Sequence, residues 1–280
     1  MEPETVAAPK PGTVTIGPDG VHGWLIDLDG WPCDRVVLDP AERARAASYL
    51  RPLDRARFAA SRSAVRVIAS GYLGGEPGRL RLSAGGSGQL RLAGHRLHLS
   101  LSRCGGVALL AVSPVPVGAD LELICPRSGL ADLAAARFAP AEAACIAGGC
   151  AGSPMHGFYR HWVAKEAYLK ATGRGLAGLR ETELACGRSP VIRFQGTPEP
   201  GWQLTLASGA PSWTAAIVGS QPVTTWLRIA RRGGSAGVGR RAGHGRQDRS
   251  GRQPEPDPGP VAARRGGGDS DLVTVLQPGA

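Results

Sequence analysis

Residues 161–176 read HWVAKEAYLKATGRGL and hold Lys165 and Lys170, two of the three lysines in a chain of 280 residues. Apart from Lys10, every other permanently cationic side chain is Arg. Arg suits rigid bidentate contacts, whereas Lys is a mobile point charge on a long stem. A Lys-Glu pair followed by a second Lys therefore reads as chosen for chemistry. On a helix, Trp162, Glu166 and Lys170 fall at i, i+4 and i+8 and share a face. Phe158, Trp162 and Leu169 can pack inward, and Gly173 then Gly175 stop the helix after Lys170.

Upstream, Val117 to Leu123 reads VGADLEL, where the period is two. Asp120 and Glu122 project from one side of a strand, and Ala119, Leu121 and Leu123 from the other. Two neighbouring carboxylates anchored by an apolar face repel each other, and a divalent cation or a polycation relieves that repulsion better than water does. With Glu166 alongside, the cluster is all oxygen, which suits Mg²⁺ better than zinc. Taken separately, Asp120 and Glu122 read as a solvated strand face, and Trp162 as core. Glu166 and Lys170 alone read as a helix pair contributing about 0.3–0.5 kcal/mol. Their joint occurrence is what points to a site.

V-G-A-D-L-E followed by W-V-A-K-E-A-Y-L-K resembles the two signature motifs of the Sfp-type 4′-phosphopantetheinyl transferases. A weaker third match, Leu101-Ser102-Arg103-Cys104 and the apolar run after it, resembles the family's L-S-H-S segment, with Arg103 where the family often has His. The resemblance spans roughly Trp24 to Arg228. It implies an α+β fold of two similar halves forming a pseudodimer, and hence a monomer, with the cofactor in the cleft between them.

Composition bounds the alternatives. With 42% apolar residues the chain can bury a sizeable core, and no run of about 18 apolar residues suggests a membrane span. The N-terminus, MEPETVAAPKPG, lacks the apolar segment of a secretory signal, so a cytoplasmic location is expected. The six cysteines show no C-x-x-C pair and no metal-like spacing with His, and read as buried or idle thiols. The net charge of +10 raises nucleic acid as a partner. From Arg231 onward, however, nine Arg stand against five acids in a stretch rich in Gly, Pro and Arg. That composition is expected to stay disordered over residues 229–280. It also lacks interleaved aromatics for stacking on bases, which argues against nucleic acid. The excess charge of the remainder suits an anionic cofactor and an acidic protein partner.

Residues 1–20 read as a loose lead-in, 21–114 as the first half and 115–228 as the second. A strand is expected near Trp24–Leu28. Asp39-Pro40 opens a helix to about Leu50, and Asp54 caps a longer one to about Tyr72. Strands are expected near 80–82, 90–92, 97–99 and 107–112. In the second half a strand at 117–123 precedes helices near 130–147 and 158–172 and strands near 191–195, 202–206 and 213–218. Direct similarity between the halves is too faint to prove a duplication. On the long first-half helix, Arg55, Arg62 and Arg66 share a stripe that alone reads as a solvated basic face.

The resemblance assigns roles. Arg66 matches a position contacting the nucleotide phosphates of coenzyme A, with Arg43 or Arg45 as further contacts. Ser102 and Arg103 fall at the 3′-phosphate pocket, which Arg can hold bidentately. Gly88-Gln89-Leu90 stands where the family often has G-K-P, removing one Lys contact. Asp120, Glu122 and Glu166 are the implied Mg²⁺ ligands, and Glu166 also the proton acceptor, directly or through a metal-bound water, with Lys165 and Lys170 neutralising phosphates. The implied reaction moves 4′-phosphopantetheine from coenzyme A to a serine of an acyl or peptidyl carrier protein, a holo-acyl-carrier-protein synthase activity. It leaves open whether that carrier serves fatty acid, polyketide or nonribosomal peptide synthesis. Two rival readings are a degenerate, non-catalytic carrier- or nucleotide-binding homologue, and RNA binding through the Arg-Gly tail.

Overall fold

The computed structural model describes residues 3–32, 37–84, 90–185, 191–209 and 213–229. After β1 (Glu4–Val6), the first half runs β2 (His22–Asp27), α1 (Pro40–Ala47), α2 (Pro52–Leu73), β3 (Leu82–Ala84), β4 (Leu90–Leu92), β5 (His98–Cys104) and β6 (Val107–Ser113). The second half runs β7 (Val117–Leu123), α3 (Leu130–Arg137), α4 (Pro140–Ala147), α5 (Pro154–Thr172), β8 (Thr182–Leu184), β9 (Ile192–Phe194), β10 (Thr197–Pro198), β11 (Gln203–Gly209) and β12 (Trp213–Gly219), before a last strand β13 (Thr225–Ile229). The α+β class expected from the sequence is the class observed.

The halves share a plan. In the first, β2 opens, α1 and the long α2 follow, and the β5–β6 hairpin returns so that β6 lies antiparallel to β2. In the second, β7 opens, the helices follow, and the β11–β12 hairpin returns so that β12 lies antiparallel to β7. The short helix before each long one begins Pro-Ala-Glu, at residues 40–42 and 140–142.

Three apolar layers hold the plan together. Trp24, Ile26, Ala108, Leu110 and Val112 pack under Ala64, Val65 and Ile68 of α2. The alternate residues of the same strands, Leu25, Leu109 and Ala111, meet Val117, Ala119, Leu121, Ala215 and Ile217 of the second half. On its far side that second sheet packs Ala216 and Val218 against α5. The order is helix, sheet, sheet, helix. Period-two alternation lets each strand serve two layers at once.

Several elements differ from the sequence reading. The helix expected over 130–147 breaks at Phe138-Ala139, because Pro140 cannot continue it and restricts the residue before it. Arg51, not Asp54, is the N-cap of α2, because Pro52 takes the first helical position and leaves Asp54 inside the first turn. α5 starts four residues earlier than expected, where the Ser153 hydroxyl accepts from His156 N–H. The seven-stranded sheet has the order β1-β13-β2-β6-β5-β4-β3. Residues 4–6 of the expected lead-in are therefore its edge strand. Residues 225–229, divided by the sequence reading between the second half and the tail, pair in parallel with β2 of the first half. The expected disorder after Ile229 and the Gly88-Gln89 part of the G-K-P comparison lie outside the described residues.

Candidate active site

The site begins with a close approach of helix to strand. A Cβ on Gly118 would stand 1.9 Å from the Ala167 carbonyl oxygen and 2.4 Å from the Ala171 nitrogen. Only glycine lets α5 settle onto β7 at that point. Ala164, Ala167 and Ala171 on α5 are buried, as the contact demands. The seated helix lets Lys170 Nζ donate to the Ala119 carbonyl at 3.2 Å and to Asp120 Oδ1 at 2.7 Å. Gly173 then ends the helix in the left-handed region at φ 70°, where glycine carries no Cβ penalty.

The first half completes this arrangement across the seam. Alternate residues of β5 face β7. Ser100 Oγ accepts from Ala119 N–H at 2.9 Å, Ser102 Oγ donates to Asp120 Oδ1 at 2.8 Å, and Cys104 Sγ donates to Glu122 Oε2 at 3.3 Å. Burial, reinforced by Glu122, pushes the Cys104 thiol up to about 12, so it stays a neutral donor. Sequence reading singled out Ser102 but took Cys104 for an idle thiol. The legible signal was the alternation Ser100, Ser102, Cys104, which puts three polar atoms on one strand face.

Asp120, Glu122 and Glu166 are all buried. Burial, then the Asp120 charge, lifts the Glu122 carboxyl to about 8, against a smaller downward pull from Lys170. The same causes lift Glu166 to about 7. Burial pulls the Lys170 ammonium down, but Asp120, Glu166 and Glu122 together hold it above its ordinary value. Asp120 Oδ2 and Glu166 Oε1 are buried with no hydrogen-bond partner. Buried polar groups are ordinarily satisfied. Two orphaned carboxylate oxygens in an all-oxygen cluster with one ammonium fit a hard divalent cation such as Mg²⁺.

Two expected phosphate contacts are placed elsewhere. Arg66 is fully buried on α2 and its donors are spent inside the protein. It bonds Glu42 at 2.8 Å, Asp39 at 2.6 Å, and the carbonyls of Leu80 at 2.6 Å and Pro77 at 3.3 Å. Lys165 is likewise buried, with Nζ 2.7 Å from Glu142 Oε2 and 4.5 Å from the centre of the Phe138 ring. Arg66 has its donors engaged inside the protein and Lys165 lies buried against Glu142, so in this structure each cation bridges two helices. Trp162 packs on Phe158 and Phe138 in the core, as expected.

Of the remaining candidates, Ser102 is buried against Asp120, while Arg103, Arg45 and Arg43 stay at least partly accessible. Arg103 is half-buried, its guanidinium 5.3 Å from the centre of the Phe58 ring and 3.4 Å from Ser61 Oγ. Arg62 lies 5.5 Å from the centre of the same ring. Arg45 is exposed and sits over Tyr49, while exposed Arg43 donates to the Leu38 carbonyl. The stripe of Arg55, Arg62 and Arg66 is not a solvated face, since only Arg55 is exposed. Nor are the cysteines uniformly buried and idle: Cys125 and Cys150 are exposed, and Cys145 is disulfide-bonded. Cys145 Sγ, Cys150 Sγ and a His161 ring nitrogen lie within 4.8 Å of one another, a proximity that spacing concealed.

Buried carboxylates and one lysine thus meet where the two halves pack together. A sequence profile of the 4′-phosphopantetheinyl transferase superfamily matches residues 116–220, the segment that carries Asp120, Glu122, Glu166 and Lys170. The chain is 37% identical over 205 residues to the 4′-phosphopantetheinyl transferase HetI of Nostoc sp., covering 70% of this chain and 86% of that one. It is 31% identical over 198 residues to a putative 4′-phosphopantetheinyl transferase of Synechocystis sp., covering 65% of this chain and 77% of the relative. A shorter match, 31% over 81 residues, reaches a 4′-phosphopantetheinyl transferase of Bacillus subtilis, covering 29% of this chain and 35% of that protein. The chain belongs to the 4′-phosphopantetheinyl transferase superfamily and is one of its enzymes. Among the described residues no helix is long and apolar enough to cross a membrane.

Proposed function

We propose that this enzyme transfers 4′-phosphopantetheine from coenzyme A to a serine hydroxyl of an acyl or peptidyl carrier protein, releasing adenosine 3′,5′-bisphosphate. The observation that carries the reading is the buried cluster of Asp120, Glu122 and Glu166 beside Lys170, with two carboxylate oxygens left without partners. Asp120, Glu122 and Glu166 would hold Mg²⁺. When bound, the ion would offset charge on the pyrophosphate oxygens during transfer.

The protein's own groups divide the remaining work. Lys170 and Ser102 both donate to Asp120 Oδ1, fixing that carboxylate so that its other oxygen faces the cluster. Glu166 is the group assigned to take the serine proton, directly or through water. The serine oxygen forms a bond to the phosphorus nearer pantetheine, the bond from that phosphorus to the bridging oxygen breaks, and the nucleotide leaves with the electron pair. On this reading Arg103 contacts the 3′-phosphate, with Arg45 and Arg43 as further contacts. Incubation with coenzyme A, Mg²⁺ and a panel of apo carrier proteins is expected to add the mass of one phosphopantetheine arm. No mass gain on any carrier would overturn the assignment.

A further inference from the structure

Four large apolar side chains are exposed among the described residues, and two of them lie close in sequence, Leu50 in the turn before α2 and Leu53 in the first turn of α2. Leu50 is 96% exposed. The turn joins α1 to α2, and its geometry has no need of leucine there. Ser48 closes α1 with its backbone N–H, and Pro52 starts α2. Single exposed leucines are ordinary; the surroundings of this one are not.

Arg43, Arg45, Arg51 and Arg55 around it are all exposed. Between residues 40 and 57 no carboxylate is exposed, because Glu42 is buried against Arg66 and Asp54 is half-buried. The knob is also held in place. Arg55 donates to the Tyr49 carbonyl at 3.1 Å, and the Tyr49 ring packs 5.4 Å from Phe58. Phe58 in turn carries Arg103, whose neighbour Ser102 bonds Asp120. Two aromatic rings thus link the patch to the first-half wall of the site.

We propose that the α1–α2 turn is the docking surface for the carrier protein, with Leu50 as anchor and Arg51 and Arg55 as its basic rim. The inference rests on the proposed function and specifies how its protein substrate is recognised. The occupant is a carrier face that presents acidic side chains around an apolar depression. Four exposed cations, with only the half-buried Asp54 between Arg51 and Arg55, leave the rim net positive, which favours an anionic partner and steers its approach. The leucine at the centre supplies apolar area that a nucleic acid could not use for stacking.

The test is steady-state transfer by the full chain at saturating coenzyme A, with carrier concentration varied. Leu50→Glu and Arg51→Glu should each raise the KM for carrier about tenfold, the size expected when a central anchor or its charged neighbour is lost. The kcat, the KM for coenzyme A and the thermal midpoint should stay unchanged, and added salt should raise the carrier KM of the wild type more than that of Arg51→Glu. A wild type that modifies no carrier would remove the function and this surface with it. A wild type that transfers, beside a Leu50→Glu variant of unchanged carrier KM, would remove the surface alone. An equal rise in the KM for coenzyme A would assign the patch to the nucleotide. A wild-type dimer in light scattering that Leu50→Glu dissociates would assign it to a second copy of the chain.

Discussion

The two halves carry the same lock made from different cations. In the first, Glu42 Oε2 accepts from Asp39 N–H at the start of α1 and from Arg66 on α2. In the second, Glu142 Oε2 accepts from Ala139 N–H at the start of α4 and from Lys165 on α5. The residue after each cation differs in kind. Val67 packs against the first-half core, whereas Glu166 joins the carboxylate cluster. The strands repeat the contrast: toward its helix β2 turns Trp24 and Ile26, and β7 turns Asp120 and Glu122. One half kept an apolar layer between strand and helix; the other replaced it with charge. Chemistry therefore sits in one half, on a frame that both share, and the other half lends Ser102 and Cys104 across the seam.

The sharpest break in this comparison is to remove the charge. Asp120→Asn and Glu166→Gln should each lower kcat by about 10³-fold, within the range for a lost general base or charge-stabilising group. The thermal midpoint should hold or rise for Glu166→Gln, which removes a buried carboxylate repelled by Asp120, and should fall for Asp120→Asn, which weakens the 2.7 Å pair to Lys170. Val67→Ala in the first half should cost about 1 kcal/mol of stability and leave kcat unchanged. Steady-state kinetics beside thermal melts decide it, and a folded Glu166→Gln retaining most of its kcat would refute the assignment of that carboxylate.

The lock itself comes next. Arg66→Ala and Lys165→Ala each strand a buried glutamate and should destabilise the fold by about 3–5 kcal/mol. Replacing both members of a pair by apolar residues should recover most of that loss. If Arg66→Ala instead keeps its stability in denaturant titration and raises the KM for coenzyme A, the guanidinium reads phosphate after all.

Protonation sharpens the contrast further. The Glu122 and Glu166 carboxyls titrate near 8 and 7 in the folded chain, above the ordinary carboxylate value of 4.5. Between pH 4.5 and 8 the folded state holds protons that the unfolded chain has released. Stability in chelator should therefore fall as pH rises through that window and level off above it. Added Mg²⁺ should raise the thermal midpoint more at pH 8 than at pH 5. An equal shift at both would mean that the ion binds elsewhere. A smaller effect is expected at Arg103. Coenzyme A should bind about tenfold tighter than its 3′-dephospho form, the size of one charge-assisted phosphate contact. In calorimetry Arg103→Ala should erase that difference.

Much of the site was legible because it depends on local periods. Alternation along 117–123 placed Asp120 and Glu122 together, and the i, i+4 step aligned Glu166 with Lys170. What escaped depended on which elements pack. Arg66 shares a stripe with Arg55 and Arg62, but only the seating of α1 on α2 shows that Glu42 and Asp39 consume it. Lys165 lies one residue from Glu166, and its partner Glu142 is on another helix. The shared plan of the halves left little trace in sequence beyond Pro-Ala-Glu, because strand pairing can repeat without side-chain identity.

The placement of β13 bears on how the protein is made. Thr5 pairs with Arg228, so β1 waits for the last described strand before it has a neighbour. β2 likewise keeps one edge open until then. The nascent first half emerges with an unpaired edge, a state prone to association with other chains. Synthesis of the second half is thus the interval during which the chain most needs chaperone protection, and the arrival of residues 225–229 ends it.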